Sequence, residues 1–185
     1  MKTLILSVLL FTLSSSTFAA TEYEPTVRRS KFGIGGKALF PSNGSSTIGL
    51  LSLEGSQYFG VSPGFFGFQF DFGQPTAGTT SVYYSFLIKI GYEKINDTTI
   101  YGGSLGAGTA AFGTGTYVTN APNGLNYGTL ALQPEVFGGF ILGHGWRILG
   151  TAGYLGVTSA PANTGMVLGI RFDYKSETST RPLDE

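Results

Sequence analysis

The chain has 185 residues, with 11 Lys+Arg against 11 Asp+Glu and no formal net charge, so no basic surface argues for nucleic acid. Only 12% of its residues are charged, where an average soluble domain carries about 25%, and 29 residues are Gly. Cys is absent, which excludes disulfides, thiolate metal sites and Cys nucleophiles, and a single His leaves little material for most hydrolases and metalloenzymes.

At the N-terminus, Lys2 supplies a short positive region, Leu4 to Leu13 is almost continuously apolar, and Thr17-Phe18-Ala19 reads as a small-x-small cleavage site. This three-part pattern predicts a secretory signal peptide over residues 1–19, cut after Ala19. The apolar run is too short for a bilayer-spanning helix, which needs about 20 residues. Residues 20–30 read as an irregular leader and 175–185 as a polar tail. Between them, residues 31–174 form the single predicted domain.

That domain carries no convincing 3.6-residue period, and Gly interrupts almost every candidate helix. Period two is strong instead. Phe66, Phe68, Phe70 and Phe72 alternate with Gly67, Gln69 and Asp71. Val82, Tyr84, Phe86, Ile88, Ile90 and Tyr92 repeat the pattern, as do Met166, Leu168, Ile170, Phe172 and Tyr174. Each set lines one face of a strand. In chain order the reading gives strands at about 31–40, 46–55, 64–73, 81–93, 99–110, 127–142, 146–157 and 165–174. Pro134 lies inside the sixth, where its missing N–H predicts a bulge or local irregularity.

Alternation alone does not say which medium meets the apolar face. A soluble barrel would carry many Lys and Glu on its polar face, whereas the alternate positions here are mainly Gly, Ser, Thr, Ala and Gln, which suit a cramped lumen. The longest runs match the ~9–11 residues of a tilted membrane strand. The connections at about 41–45, 74–80, 111–126 and 158–164 are rich in Pro, Ser, Thr, Asn and Gly. The intervening ones, about 56–63, 94–98 and 143–145, include two tight turns. Long outer loops with short periplasmic turns are the asymmetry of a membrane barrel, with the first pair departing from it. Phe32, Phe40, Tyr92, Tyr101, Tyr127, Trp146, Phe172 and Tyr174 fall near strand ends, where interfacial girdles place aromatics. The predicted fold is therefore an all-β, antiparallel, up-and-down, eight-stranded transmembrane β-barrel. The sets Phe66, Phe68, Phe70, Phe72 and Met166, Leu168, Ile170, Phe172, Tyr174 are expected to face lipid.

Gly169-Ile170-Arg171-Phe172-Asp173-Tyr174 closes the eighth strand with a Gly, then hydrophobic-x-hydrophobic. With this ending the chain resembles the small bacterial outer-membrane β-barrels of the OmpA/OmpX-like kind over about residues 31–174. Val167 stands where a polar residue is usual, and the chain runs on past the final aromatic. The resemblance implies residence in the outer membrane of a Gram-negative bacterium after export. It also implies two partners, the lipid bilayer and the barrel-assembly machinery acting through the last strand.

Four charged residues have the parity opposite the apolar face and fall near mid-strand: Lys37, Lys89, Glu135 and Arg171. In a barrel they converge in the lumen. Three cations and one anion leave an excess, so Asp71, Glu93, Asp173 or Glu54 must contribute, or water must enter. An eight-stranded lumen is just wide enough for side chains to fill, which favours a structural ion-pair plug over a gated constriction or a polar relay. His144 is read in a tight turn between two Gly residues, away from any Ser-and-acid set. Gly33-Ile34-Gly35-Gly36 and Gly106-Ala107-Gly108 open no helix and are not phosphate loops. Asn43-Gly44-Ser45 and Asn96-Asp97-Thr98 are formal glycosylation sequons that read equally well as turns. No catalytic residue, metal ligand or cofactor is expected. The leading functional reading is a membrane barrel with a structural, adhesive or surface-interaction role and no large pore. The alternatives are a soluble secreted or periplasmic barrel that binds an apolar ligand, and a lipid-modifying membrane enzyme.

Overall fold

The computed structural model describes residues 27–60, 62–76, 82–113, 129–158 and 164–179. The predicted signal peptide, most of the leader, Tyr127, the bulk of the third long connection and the tail from residue 180 lie outside the described residues. Eight strands follow one another: β1 (Val27–Pro41), β2 (Ile48–Tyr58), β3 (Gly64–Pro75), β4 (Val82–Asn96), β5 (Thr99–Gly113), β6 (Thr129–Gly143), β7 (Trp146–Val157) and β8 (Gly165–Ser179). Each pairs antiparallel with its chain neighbour, and β8 returns to β1 to close the barrel. At the closing seam the Ser42 amide donates to the Thr164 carbonyl at 2.7 Å.

The ends of the domain are more ordered than the sequence suggested. β1 starts at Val27, inside the expected leader, and the Arg29 guanidinium donates to the carbonyls of Gly60 at 2.8 Å and Ser62 at 3.2 Å. β8 runs through the first part of the expected tail to Ser179, and the Lys175 amide donates to the Gly145 carbonyl at 2.9 Å. The β2–β3 connection is shorter than expected, 59–63 rather than 56–63, because Ser56, Gln57 and Tyr58 stay in register with Gly67, Phe66 and Phe65.

The other two connections at that end are 97–98 and 144–145. Their first residues take positive φ, Asp97 at 51° and His144 at 50°, and Gly145 follows at 83°. Positive φ at both central residues is what a type I′ hairpin turn requires, and Gly145 supplies it without a Cβ clash. The connections at the opposite end, 42–47, 76–81, 114–128 and 158–164, are all longer. The asymmetry is thus cleaner than the sequence alone indicated. In the first long connection Asn43 Oδ1 accepts from the Ser45 amide at 3.0 Å and the Ser45 hydroxyl at 2.6 Å, the Asx turn that its sequence favours.

Pro134 produces an interruption and no bulge. The β6–β7 register is unchanged from Ala131↔Val157 to Ile141↔Arg147, with the ladder missing only at Gln133 and Pro134 over that stretch. A proline removes a donor without adding a residue. The register shift lies further on, between Ile141 and Gly143, next to the turn.

The parity of every strand is settled by burial. Phe66, Phe68, Phe70, Phe72, Met166, Leu168, Ile170, Phe172 and Tyr174 all point outward, with Phe68 47% and Ile170 57% exposed. Outward aromatics cluster at the short-turn end, where the Trp146 and Tyr174 rings lie 5.2 Å apart across β7 and β8. The inward side chains form two apolar clusters. One, with Leu39, Leu50, Tyr83, Leu87 and Leu155, fills the half nearer the long connections. The other, with Tyr58, Phe65, Ile100, Phe137 and Leu149, closes the half nearer the short turns.

Candidate functional site

Against these two apolar clusters lies a layer of charge. Every strand except β5 contributes to it. Lys31 and Lys37 come from β1, Glu54 from β2, Asp71 from β3, Lys89 and Glu93 from β4, Glu135 from β6, Arg147 from β7, and Arg171 and Asp173 from β8. All ten are buried, and the five cations balance the five anions.

The four residues singled out from sequence do converge, and Glu135 is where they meet. Its carboxylate accepts from Lys37 Nζ at 3.0 Å and Lys89 Nζ at 3.0 Å, and lies 3.6 Å from Arg171 Nη1. Gln133 Nε2 adds a contact at 3.3 Å. Glu54 is the second hub. It accepts from Lys89 Nζ at 2.7 Å and from Arg171 Nη1, and lies 3.4 Å from the Lys31 ammonium. Arg171 also donates through Nε and Nη2 to both oxygens of Asp173, at 2.6 and 3.2 Å. Gln69 bridges two members, accepting from Lys89 at 2.9 Å and donating to Asp71 Oδ2 at 2.6 Å, where Ser85 also donates at 3.1 Å.

A second group sits nearer the short turns. Arg147 donates to Glu93 Oε1 at 2.6 Å, and the Tyr58 hydroxyl donates to the same oxygen at 2.7 Å. Lys31 stands 3.6 Å from Glu93 Oε2 and lies over the Phe65 ring at 4.0 Å. That ring places a π-face against a cation in a dry setting, where such a contact is strongest. All four carboxylates offered as alternatives for the charge balance (Glu54, Asp71, Glu93 and Asp173) take part.

The sequence reading omitted two cations, Lys31 and Arg147. The signal was available: Lys31 shares the parity of Lys37, and Arg147 that of the inward-facing Leu149 and Thr151. The same reading expected small residues to suit a cramped lumen, and the structure shows which ones make room for these long side chains. Glycines face them. A Cβ on Gly169 would sit 2.6 Å from Lys37 Cγ, and one on Gly153 would sit 3.4 Å from Glu135 Cβ. A Cβ on Gly33 would fall 3.0 Å from Arg171 Cδ. β5 lends its narrow inner face in the same way, with Gly102 against Phe137 and Gly106 against Leu87. Small residues opposite large ones are how a small barrel fills its interior.

The chemistry available to this layer is mutual charge compensation. Its carboxylates lie against ammonium or guanidinium groups, and His144, three residues before Arg147, is exposed in the 144–145 turn.

No family model matches the chain, and no curated protein matches it in sequence. Its fold does match solved structures. Neisserial surface protein A superposes with a TM-score of 0.55 at 10% identity, covering 80% of this chain and 96% of that one. The Yersinia pestis outer membrane protein Ail, in a phospholipid bilayer nanodisc, superposes with a TM-score of 0.51 at 13% identity, covering 83% of this chain and all of that one. At these identities the likeness is one of fold, the closed eight-stranded antiparallel barrel of small outer-membrane proteins.

Proposed function

We propose that the chain is an integral outer-membrane barrel with a surface-interaction role, whose lumen is a structural plug and whose long connections face the cell's surroundings. The observation that carries this is the inversion of the usual protein interior. Large apolar side chains cover the outer wall, while ten charged ones are buried inside. A water-soluble domain almost never buries so many charges while exposing its phenylalanines in rows, whereas a bilayer asks for that arrangement. The two superposing barrels, a surface protein and an outer-membrane protein, support the same setting. A soluble carrier of an apolar ligand would need an apolar cavity where this lumen holds a neutralised charge layer. The reading includes no enzymatic step and no pore.

Two measurements test it. Cells expressing the full chain are fractionated, and the membranes are washed with carbonate or urea. The protein should remain with the outer membrane, and release into the soluble periplasmic fraction would overturn the reading. Purified protein in a planar bilayer should show no stable opening of nanosiemens size, because eight strands enclose side chains and not water. Such openings would contradict the plug.

A further inference from the structure

The barrel wall has a notch at its short-turn end. β3 stops pairing with β4 at Gly64↔Tyr92, whereas β4 continues against β5 to Asn96. The Glu93 amide donates to the Pro63 carbonyl at 2.9 Å, and beyond that bond β4 overhangs the β2–β3 turn. Beside the overhang is a cavity of about 280 Å³, whose wall includes Arg29, Tyr58, Tyr92, Lys94, Ile95 and Lys175. That is below the ~300 Å³ at which pockets for drug-sized ligands begin, and it suits a compact polar group. The cavity straddles the wall. Arg29 and Lys175 share the inward parity of Lys31 and Asp173, while Lys94 shares the outward parity of Tyr92, which is 52% exposed.

Three cations from three strands therefore meet at one cavity, and little among the described residues neutralises them. Arg29 donates through Nε and Nη2 to the Gly60 carbonyl at 3.1 and 2.8 Å, and through Nη2 to the Ser62 carbonyl at 3.2 Å. These carbonyls fix the guanidinium without cancelling its charge, and its Nη1 has no partner among the described residues. The Lys94 ammonium has neither a hydrogen bond nor an ion pair among them. Lys175 has one carboxylate, Glu177 at 3.2 Å, but that side chain is 56% exposed and such a surface pair contributes little. Arg29 and Lys175 both stand against the Tyr58 ring, 5.5 and 5.2 Å from its centroid. Glu93, the carboxylate in the cavity wall, is already engaged by Arg147 at 2.6 Å and by the Tyr58 hydroxyl at 2.7 Å.

Resting on the outer-membrane reading, we propose that this notch is a binding site for the phosphate of an anionic phospholipid in the leaflet that meets the short turns. A phosphodiester offers Arg29 Nη1 and the two ammonium groups the charged acceptors that they lack. The wall supplies the reason for a lipid over a soluble anion. Tyr92 stands with Tyr101, Trp146 and Tyr174 among the outward aromatics of this end, at the height where girdles meet headgroups. Ile95, 41% exposed, sets an apolar surface beside the cations. A free phosphate would leave that surface wet, whereas the glycerol and first acyl carbons of a lipid would cover it. A zwitterionic headgroup brings a cation of its own, which three cations repel, so the geometry favours a headgroup of net negative charge. Basic pockets at a membrane surface take headgroups in this way.

The test uses the full chain, purified from membranes and reconstituted in nanodiscs with equal amounts of phosphatidylcholine and phosphatidylglycerol. After transfer to a mild detergent, native mass spectrometry counts the lipids that stay bound. The expected result is retention of phosphatidylglycerol in preference to phosphatidylcholine. Lys94→Gln should lower that preference about fivefold, the effect of one charge near a membrane surface, and Lys94→Arg should keep it. Arg28 is exposed on the neighbouring position of β1 and is not in the cavity wall. Arg28→Gln should lower the preference by less than about twofold, because its charge acts through screened solvent. Lys94 and Arg28 are both exposed, so neither replacement disturbs packing, and the yield of heat-modifiable barrel checks this. Equal retention of the two lipids, or equal losses for Lys94→Gln and Arg28→Gln, would overturn the proposal. Displacement of the bound lipid by millimolar inorganic phosphate would mark a site for a free anion and overturn it too. Fractionation separates the two readings. A chain that stays in the outer membrane but shows no lipid preference refutes only the headgroup site, while a chain released as soluble protein removes both.

Discussion

Replacing Glu135 by Gln removes one of two carboxylate hubs and leaves five buried cations facing four anions. The loss does not fall equally on the three neighbours. Lys89 keeps Glu54 at 2.7 Å and Gln69 at 2.9 Å. Arg171 keeps Glu54 and both oxygens of Asp173. Lys37 keeps only the more distant Asp71, 4.0 Å away, among the described residues. Breaking a buried pair by removing one partner costs about 3–5 kcal/mol, whereas removing both costs far less. Glu135→Gln should therefore lose about 3 kcal/mol or more, and adding Lys37→Met should restore most of it. The assay is urea unfolding of the refolded chain in lipid vesicles, followed by the fluorescence of Trp146, the sole tryptophan, with a double-mutant cycle against each of Lys37, Lys89 and Arg171. Coupling should be largest with Lys37 and smallest with Arg171, which lies 3.6 Å away. Coupling below about 0.5 kcal/mol in all three cycles, or an Arg171 term larger than the Lys37 term, would refute the reasoning.

Adjacent glycines of β1 give a second contrast. A Cβ on Gly35 would meet the Ile170 carbonyl and lie 2.9 Å from Arg171 Cα, whereas nothing lies within 4 Å of one on Gly36. Gly35→Ala should lose about 1–3 kcal/mol by overpacking, and Gly36→Ala should unfold at the wild-type urea concentration. On the outer wall, Phe68→Arg puts a cation at mid-membrane at a cost of about 2–4 kcal/mol, and Phe59→Arg, in the β2–β3 turn, should cost no more than about 1. Yields of heat-modifiable barrel on gels read the difference, and equal yields would mean that the wall does not face lipid. Tyr58→Phe removes a hydrogen bond to a charged group, worth about 1.5–3 kcal/mol. It leaves the direct Arg147–Glu93 pair at 2.6 Å in place, so urea unfolding should show a smaller loss than for Arg147→Met.

The architecture was legible because period two is a strong signal wherever one face is bulky. The rows Phe66 to Phe72, Val82 to Tyr92 and Met166 to Tyr174 fixed three strands and their outward faces, and parity then carried Lys37, Lys89, Glu135 and Arg171 into the lumen. Strand ends were less legible. Ser56 to Tyr58, Arg28 to Ser30 and Lys175 to Thr178 are polar enough to look like loop, yet backbone pairing past the apolar belt needs no apolar side chain. That side chains fill the lumen was legible from the strand count, but the packing at each position was not. Parity places Gln69 in the lumen, but only the fold shows that it is fully buried between Lys89 and Asp71, so an Arg there would be a sixth buried cation in a packed interior. The crowding that makes Gly33 and Gly169 necessary arises between β1 and β8, which are distant in sequence. A single chain read along its length shows that glycine is abundant and suits a cramped lumen, but not which side chain each one faces.

An apolar plug would fill this lumen at no cost in desolvation, and well-packed hydrophobic replacements of buried ion pairs are often neutral or stabilising. Stability is therefore a poor reason for ten buried charges. Register is a better one. A slip of one residue turns every side chain of a strand to the opposite face. In β8 it would send Arg171 and Asp173 into the lipid-facing wall and bring Ile170 and Phe172 against Glu54. Each mid-membrane arginine on that wall costs about 2–4 kcal/mol, and Glu54 would lose its guanidinium as well. β5 carries no charge of its own, and its Gly, Ala and Ser residues would tolerate a slip more readily than any other strand. It lies between β4 and β6, whose Lys89 and Glu135 clasp each other at 3.0 Å across its narrow inner face. A pair spanning the weakest strand holds both of its neighbours at one height, and that fixes the strand which has no means of fixing itself.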